Sequence, residues 1–382
     1  MTWASSAAQT VTDALAGPFD VAVAAIDRCD TVIAAVADRF EIGSVTKTMT
    51  ATVVALLVGE DVLRLTDEIG DWLDAGPHSG ITIGQLATHT SGLPSMAFRP
   101  ADQADPWAGY TFERAEADLR RAPRGEPRYS NLGYQLLGLI VQRAAGKPYA
   151  AVLTERLLTP LAMTDTTVGD PLEWAQPLGA GGVVATIADL ARYTRACLFP
   201  PPTPLGEAIT LAQTRSLAWQ TTDGVHEHSG GTAGFSACVG VARDRGRAIA
   251  ILTNNPGSPA NSARLKQVTR LTLAGEDPRQ AGTPAPWPTW RAEAIETAKA
   301  LVDVDLQRVC ERLAPAMRSK ITVERLANAW TPLTGPPGEI TITRHEQAAS
   351  GAVLVDITIG TRRVRMVVLP TGELGGLAFP TS

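Results

Sequence analysis

Apolar residues run together in four short stretches of this chain, and turn-forming residues join them two by two. Asp20 to Ile26 and Thr31 to Ala37 flank the turn Asp27-Arg28-Cys29-Asp30, while Ser236 to Ala242 and Ala248 to Thr253 flank Arg243-Asp244-Arg245-Gly246. Each pair predicts a β-hairpin. From Asn261 to Leu273 the apolar spacing turns helical, which predicts a helix laid over the hairpin sheet. Roughly residues 60 to 200 read as a mostly helical insert. Met49 to Val58 is apolar but broken by threonine, and far shorter than the ~20 residues that cross a bilayer, so it predicts a buried core helix.

Near Glu276 the composition changes. The run Asp277-Pro278-Arg279-Gln280-Ala281-Gly282-Thr283-Pro284-Ala285-Pro286-Trp287-Pro288 reads as a proline-rich, semi-rigid linker. The expected division is therefore residues 1–275, a linker at 276–288 and a second domain at 289–382. In that domain helical patterns at Trp290 to Val302, Leu306 to Met317 and Val323 to Trp330 precede strand-like runs at Glu339 to Thr343, Ala352 to Ile359 and Arg363 to Leu369. Helices followed by strands imply an α+β unit.

Composition narrows the function. A chain of 382 residues with 45% hydrophobic content has material for two cores, and a net charge of −5 leaves no basic footprint for nucleic acid. Cys29, Cys197, Cys238 and Cys310 lack metal-ligand spacing, as expected of small apolar residues in a reducing compartment. No metal site and no cofactor are expected. The first ten residues carry no basic region followed by a continuous apolar run, so they do not read as a signal peptide, and a complete chain of this kind would be cytoplasmic.

Candidate chemistry begins at Ser44-Val45-Thr46-Lys47. Lysine is scarce, with five in the chain, and only Lys47 has a serine three positions before it. In a helical first turn, residues i and i+3 share a face, which brings a hydroxyl and an amine toward hydrogen-bonding distance. A serine is a poor nucleophile at neutral pH, and a lysine activates it only when desolvation or a neighbouring cation lowers the amine pKa. The helix dipole would favour an oxyanion near Ser44. The tetrad alone is equally compatible with an N-cap serine beside a solvated lysine.

Two further segments bear on that choice. Tyr129-Ser130-Asn131 follows a proline-rich loop and precedes a helical pattern at Leu132, Leu136, Leu137, Ile140 and Val141. A tyrosine there can reach a lysine, and its phenol, if neighbouring cations lower its pKa, can shuttle a proton. Asn131 offers an amide to a substrate carbonyl. The alternative is a capping turn with Ser130 or Asn131 as N-cap. His228-Ser229-Gly230-Gly231 then runs into the third strand-like stretch, where glycines let a ligand approach the backbone and the Gly231 and Ser44 amides could form an oxyanion hole. Glycines alone more often mark a turn.

Taken in order, Ser-x-x-Lys, Tyr-x-Asn and His-x-Gly resemble the serine β-lactamase and penicillin-binding-protein superfamily, most of all the branch holding class C β-lactamases, DD-peptidases and related esterases. Phe40 to Gly43, Ile81 to Pro94, Leu158 to Met163 and Ala180 to Thr186 are similar to other stretches of that branch, so the resemblance covers about residues 10 to 275. It implies an α/β, β-lactamase-like fold: an antiparallel sheet flanked by helices, a mostly helical subdomain, and here a smaller α+β domain that resembles the nuclear-transport-factor-2-like type.

The same resemblance implies roles. Ser44 becomes the acylated nucleophile, Lys47 its activating partner and Tyr129 the base or proton relay. Asn131, His228 and Gly230 would contact substrate, and the amides of Ser44 and Gly231 would form the oxyanion hole. His78, His89, His226 and His345 read as structural. Class C β-lactamases usually carry lysine where His228 stands, to hold the β-lactam carboxylate, whereas histidine is mostly neutral at pH 7. The expected function is a serine acyl-enzyme catalyst that cleaves a small-molecule ester or amide and passes the acyl group to water or an amine acceptor, with no nucleic-acid or membrane partner and with homodimerisation open. The alternatives are a β-lactamase or DD-peptidase, and a non-catalytic sensor that is acylated without turnover.

Overall fold

The computed structural model describes residues 2–17, 19–34, 39–95, 110–172, 177–232 and 234–281, and, further on, 297, 300–301, 305–313, 322–329, 340–347, 353–359, 362–368 and 374–378. Internal contacts divide the chain into Met1–Thr283 and Pro284–Ser382.

In the first unit the strands are β1 (Val21–Ile26), β2 (Thr31–Ala34), β3 (Arg39–Glu41), β4 (Thr167–Val168), β5 (Val183–Thr186), β6 (Gln220–Thr222), β7 (Val225–Gly231), β8 (Ser236–Ala242) and β9 (Arg247–Thr253). Six of them form an antiparallel sheet in the order β2-β1-β9-β8-β7-β6. Both expected hairpins are present, with Ala24 opposite Ile33 and Val239 opposite Ala250. Ala35 to Ala37 of the second expected strand lie outside the described residues.

The central strands are buried on both faces, yet their alternation still sorts side chains into two cores. Ala22, Ala24 and Ile26 of β1, with Val239 and Val241 of β8, join the larger core, whereas Val23, Ala25, Ile249 and Ile251 face the other way. That second face is covered by α1 (Trp3–Leu15) and by α9, Pro259–Ala274, the last helix of the unit. The sequence reading anticipated the C-terminal cover but not α1. Its buried positions Ala4, Ala7, Ala8, Val11 and Leu15 do follow helical spacing, but alanine makes the stripe faint. Residues Pro278–Ala281, expected in the linker, form a short 3-10 turn in which Pro278 is buried and Ala281 packs against this layer.

The opposite face carries the helical body: α2 (Thr46–Gly59), α3 (Ile83–Ala87), α4 (Phe112–Leu119), α5 (Asn131–Ala145), α6 (Tyr149–Leu153), α7 (Ile187–Leu198) and α8 (Pro204–Thr214). Helix α2 is buried on all sides from Thr46 to Leu57, so its threonine hydroxyls must find partners inside. They bond back along the helix, Thr50 to the Thr46 carbonyl and Thr52 to that of Thr48. The insert is not purely helical, because β5 pairs with both β3 and β4 in a small antiparallel sheet.

The second unit contains α10 (Leu306–Glu311), α11 (Val323–Ala329) and the strands β10 (Ile340–Gln347), β11 (Val353–Ile359), β12 (Arg362–Val368) and β13 (Leu374–Ala378). They pair antiparallel in sequence order. Three of these strands overlap the expected runs, and β13 was not anticipated. The expected helix at Trp290 to Val302 lies almost wholly outside the described residues, as do Ala314 to Met317 and Trp330.

Candidate active site

Ser44 sits in a 3-10 turn, Gly43–Val45, that leads directly into α2. Its hydroxyl is not spent on capping, since no side-chain cap closes either helix start. It meets the Lys47 Nζ at 2.8 Å. That nitrogen also lies 2.7 Å from Asn131 Oδ1 and 2.7 Å from the Ala180 carbonyl.

The Tyr129-Ser130-Asn131 corner does both jobs weighed for it. Ser130 is the N-cap of α5, accepting from the Gly133 amide at 2.9 Å and donating to the Pro94 carbonyl at 2.7 Å. With capping taken by Ser130, Asn131 at the first helical position turns its carbonyl oxygen to Lys47.

Lys47 is fully buried, and that burial holds its pKa well below the ordinary lysine value. The hydrogen-bond inventory agrees with a neutral amine. A neutral –NH2 has two N–H donors and one lone pair, and two of its three neighbours, Asn131 Oδ1 and the Ala180 carbonyl, can only accept. In that neutral form the lone pair would face Ser44, whose O–H would be the donor, whereas an ammonium would donate to all three. The aromatic faces of Tyr129 and Tyr134 stand 5.0 and 5.8 Å from Nζ and complete the wall.

The phenol differs from expectation. Tyr129 has its pKa raised, mainly by burial, with a hydrogen bond to Ser44 opposing the rise. Held up by burial, the phenol is protonated at neutral pH and has a proton to give.

His89 was read as structural and is closer to the chemistry than that. Its ring stacks on Tyr129 with centroids 4.3 Å apart and on Tyr134 at 5.0 Å, and its Nδ1 accepts from the Ser130 amide at 3.1 Å. It holds the tyrosine in place. The backbone carries it at φ +60°, a left-handed conformation that histidine, like asparagine and aspartate, adopts more often than other non-glycine residues. His78 and His226 are structural as expected, bonded to the Ala122 carbonyl and the Thr221 hydroxyl.

His228 lies on β7, its ring 6.2 Å from that of Tyr129. Nδ1 is 2.7 Å from the Ser229 carbonyl, which can only accept, so the proton sits on Nδ1 and Nε2 is an acceptor. Burial above all lowers the His228 pKa to about 3, so the ring is neutral at pH 7. It brings a lone pair, not a fixed positive charge, to this edge of the site.

The glycines of β7 have a geometric purpose. A Cβ on Gly230 would stand 1.9 Å from the Ile42 carbonyl oxygen and 2.9 Å from the Ser44 amide nitrogen, and a Cβ on Gly43 would stand 2.7 Å from the Gly231 nitrogen. What approaches Gly230 so closely is the chain's own nucleophile turn. The amides of Ser44 and Gly231 are thus held side by side. Sequence reasoning missed Ala180, whose contribution is a backbone carbonyl, although the stretch Ala180 to Thr186 had drawn attention.

A serine tied to a buried lysine, with a phenol on the hydroxyl, on a sheet flanked by helices, restricts the class of protein this chain can belong to. Comparison with known proteins narrows the class. The beta-lactamase family profile matches residues 21–274, and the chain belongs to that family. A D-alanyl-D-alanine-carboxypeptidase/endopeptidase AmpH of Escherichia coli strain K12 is 29% identical over 180 residues, 40% of this chain and 47% of the relative. Esterase EstB of Burkholderia gladioli is 29% identical over 285 residues, 64% of this chain and 69% of the relative. A beta-lactamase/D-alanine carboxypeptidase from Yersinia pestis, solved with citrate, aligns with a TM-score of 0.60 over 71% of this chain and 97% of its own, and at 19% identity it shows the fold. Among the described residues there is no cluster able to hold a metal ion, and no helix is long and apolar enough to cross a membrane.

Proposed function

We propose that the protein is an acyl-enzyme catalyst for a small, uncharged ester or amide, transferring the acyl group from Ser44 to water or to an amine. The observation that carries this reading is the three-way hold on Lys47 Nζ, which spends two positions on obligate acceptors and turns the third to Ser44 at 2.8 Å. Lys47 takes the serine proton as Oγ attacks the acyl carbon. The Ser44 and Gly231 amides receive the developing oxyanion. Tyr129, hydrogen-bonded to Ser44, protonates the leaving oxygen or nitrogen as the acyl bond breaks, and the Lys47 ammonium restores the phenol proton. Water or an amine then reverses these transfers and frees the serine.

The neutral His228 favours an uncharged substrate over one held by a carboxylate, which weighs toward esterase or transacylase chemistry and away from an efficient β-lactamase. All four cysteines are thiols outside any disulfide, which supports a reducing, cytoplasmic setting. Helices followed by a four-stranded meander support the nuclear-transport-factor-2-like reading of the second unit. The test is intact-mass spectrometry after incubation with short-chain p-nitrophenyl esters, with and without a panel of amines. A Ser44-dependent adduct cleared faster by amines indicates transfer, and clearance by water alone indicates an esterase. No adduct with any ester, against turnover of a D-Ala-D-Ala peptide or a chromogenic cephalosporin, would overturn the reading.

A further inference from the structure

Lys47 and Thr50 stand one turn apart on the same face of α2, and each bonds to a carbonyl of the turn Pro177–Gly181. Lys47 Nζ takes that of Ala180 and Thr50 Oγ1 takes that of Gly179, both at 2.7 Å. The turn is closed by the Ala180 and Gly181 amides on the Pro177 carbonyl at 3.1 and 2.8 Å, and its Gly179 and Ala180 carbonyls both face α2. Gly179 adopts φ +82°, and a Cβ there would stand 2.4 Å from the Tyr134 carbonyl oxygen, so the turn is pressed against α5.

Thr50 has one hydroxyl proton. Its neighbours are the Gly179 carbonyl at 2.7 Å, its own helix's Thr46 carbonyl at 3.2 Å and the Tyr149 hydroxyl at 2.7 Å. Carbonyls cannot donate, so the proton goes to them, and the Tyr149 hydroxyl must donate to Thr50. A directed chain results: Tyr149 O–H to Thr50 Oγ, Thr50 O–H to the Gly179 carbonyl, and one peptide further the Ala180 carbonyl on Lys47. Thr50 and Tyr149 are both buried, and neither touches Ser44 in this chain of contacts.

We infer that Thr50 and Tyr149 are positioning residues for the lysine: they clamp the Gly179–Ala180 turn so that the Ala180 carbonyl occupies one N–H of Lys47 and leaves its lone pair on Ser44. This rests on the reading of Lys47 as base. Without the clamp the amine can rotate, which lowers the acylation rate. The protonated form also loses a carbonyl acceptor while remaining out of water, which moves the Lys47 pKa further down.

The test uses the full chain with 13C-labelled lysine, whose Cε signals are few because the chain has five lysines. Lys47 is titrated by NMR in wild type, Thr50→Val, Thr50→Ser and Tyr149→Phe, alongside the single-turnover acylation rate and Tm of each. The expected result is a lower Lys47 titration and at least a tenfold slower acylation, with KM little changed, in Thr50→Val and Tyr149→Phe, and recovery of both in Thr50→Ser. Lowered Tm with an unmoved or upward-moved Lys47 titration would overturn the clamp and leave a structural role. A wild-type Lys47 titrating near the ordinary lysine value would instead refute the neutral-base reading, and with it the clamp.

Discussion

Replacing Gly230 with alanine adds one methyl group in the place where β7 meets the nucleophile turn. Its Cβ would begin 1.9 Å from the Ile42 carbonyl oxygen and 2.9 Å from the Ser44 nitrogen. Both obstacles are backbone, so no side chain can swing aside. Opening the carbonyl contact from 1.9 Å even to 3.0 Å, the closest approach real Cβ atoms tolerate, moves β7 and the turn apart by about 1.1 Å. The Ser44 and Gly231 amides would then no longer converge on one oxygen. A misplacement of about 1 Å costs on the order of 100-fold in rate, or about 2.7 kcal/mol of transition-state stabilisation. Overpacking of this kind destabilises a fold by about 1–3 kcal/mol, a fall in Tm of several degrees that leaves the protein folded at 25 °C. The assay is kcat/KM on a p-nitrophenyl ester, with Gly59→Ala as control, since a Cβ at Gly59 meets nothing within 4 Å. Activity of Gly230→Ala within threefold of wild type, with unchanged Tm, would refute the close-approach argument.

Ser44→Ala and Lys47→Ala should each abolish the ester-derived mass adduct, while Tyr129→Phe should form it far more slowly, and retained activity in the serine variant would end the mechanism. Lys47→Met should be more stable than wild type at pH 7. The unfolded lysine binds a proton below its ordinary value of 10.5 and the folded one, held lower, does not, so wild-type stability rises with pH across that interval and the variant's advantage shrinks on approach to 10.5. Chemical denaturation between pH 7 and 10 measures this. His89 and His228, both lowered to about 3 by burial, act at acid pH. Unfolded imidazoles take protons below about 6.5, so each removes up to about 1.4 kcal/mol of stability per pH unit as pH falls toward 3. Replacing both with glutamine should flatten that decline in urea denaturation, and an unaltered slope would count against neutral burial. His228→Lys should improve acylation by carboxylate-bearing donors relative to neutral ones, read as the ratio of kcat/KM, and an unchanged ratio would separate this position from substrate charge selection.

Much of this was legible before any coordinates. The hairpins could be read because turn residues bracket apolar runs, and Ser44 with Lys47 because the pair sits at helical spacing before an apolar helix. What escaped has common causes. Helix α1 hides its buried stripe in alanines, and the Ala180 carbonyl belongs to the backbone, which carries no letter of its own. The phenol of Tyr129 was expected to feel a charged lysine, but whether that lysine is charged depends on burial from elements more than a hundred residues away. The close approach of the nucleophile turn to Gly230 was not legible either, because a sequence shows that space is needed and not what fills it.

The pairing of β1 with β9 also has a temporal side. Val21 lies opposite Thr253, so one edge of the first hairpin stays open until the last strand of the sheet has been synthesised. At ribosomal speeds of 5–20 residues per second that wait is roughly 10 to 50 s, during which an apolar strand edge is exposed to other nascent chains. Ser44 and Lys47 leave the ribosome early, but Gly231 and the rest of β7 follow only near the end of that interval. The proposed oxyanion hole thus cannot assemble until the sheet closes, and the open strand edge is the part of the nascent chain most in need of shielding.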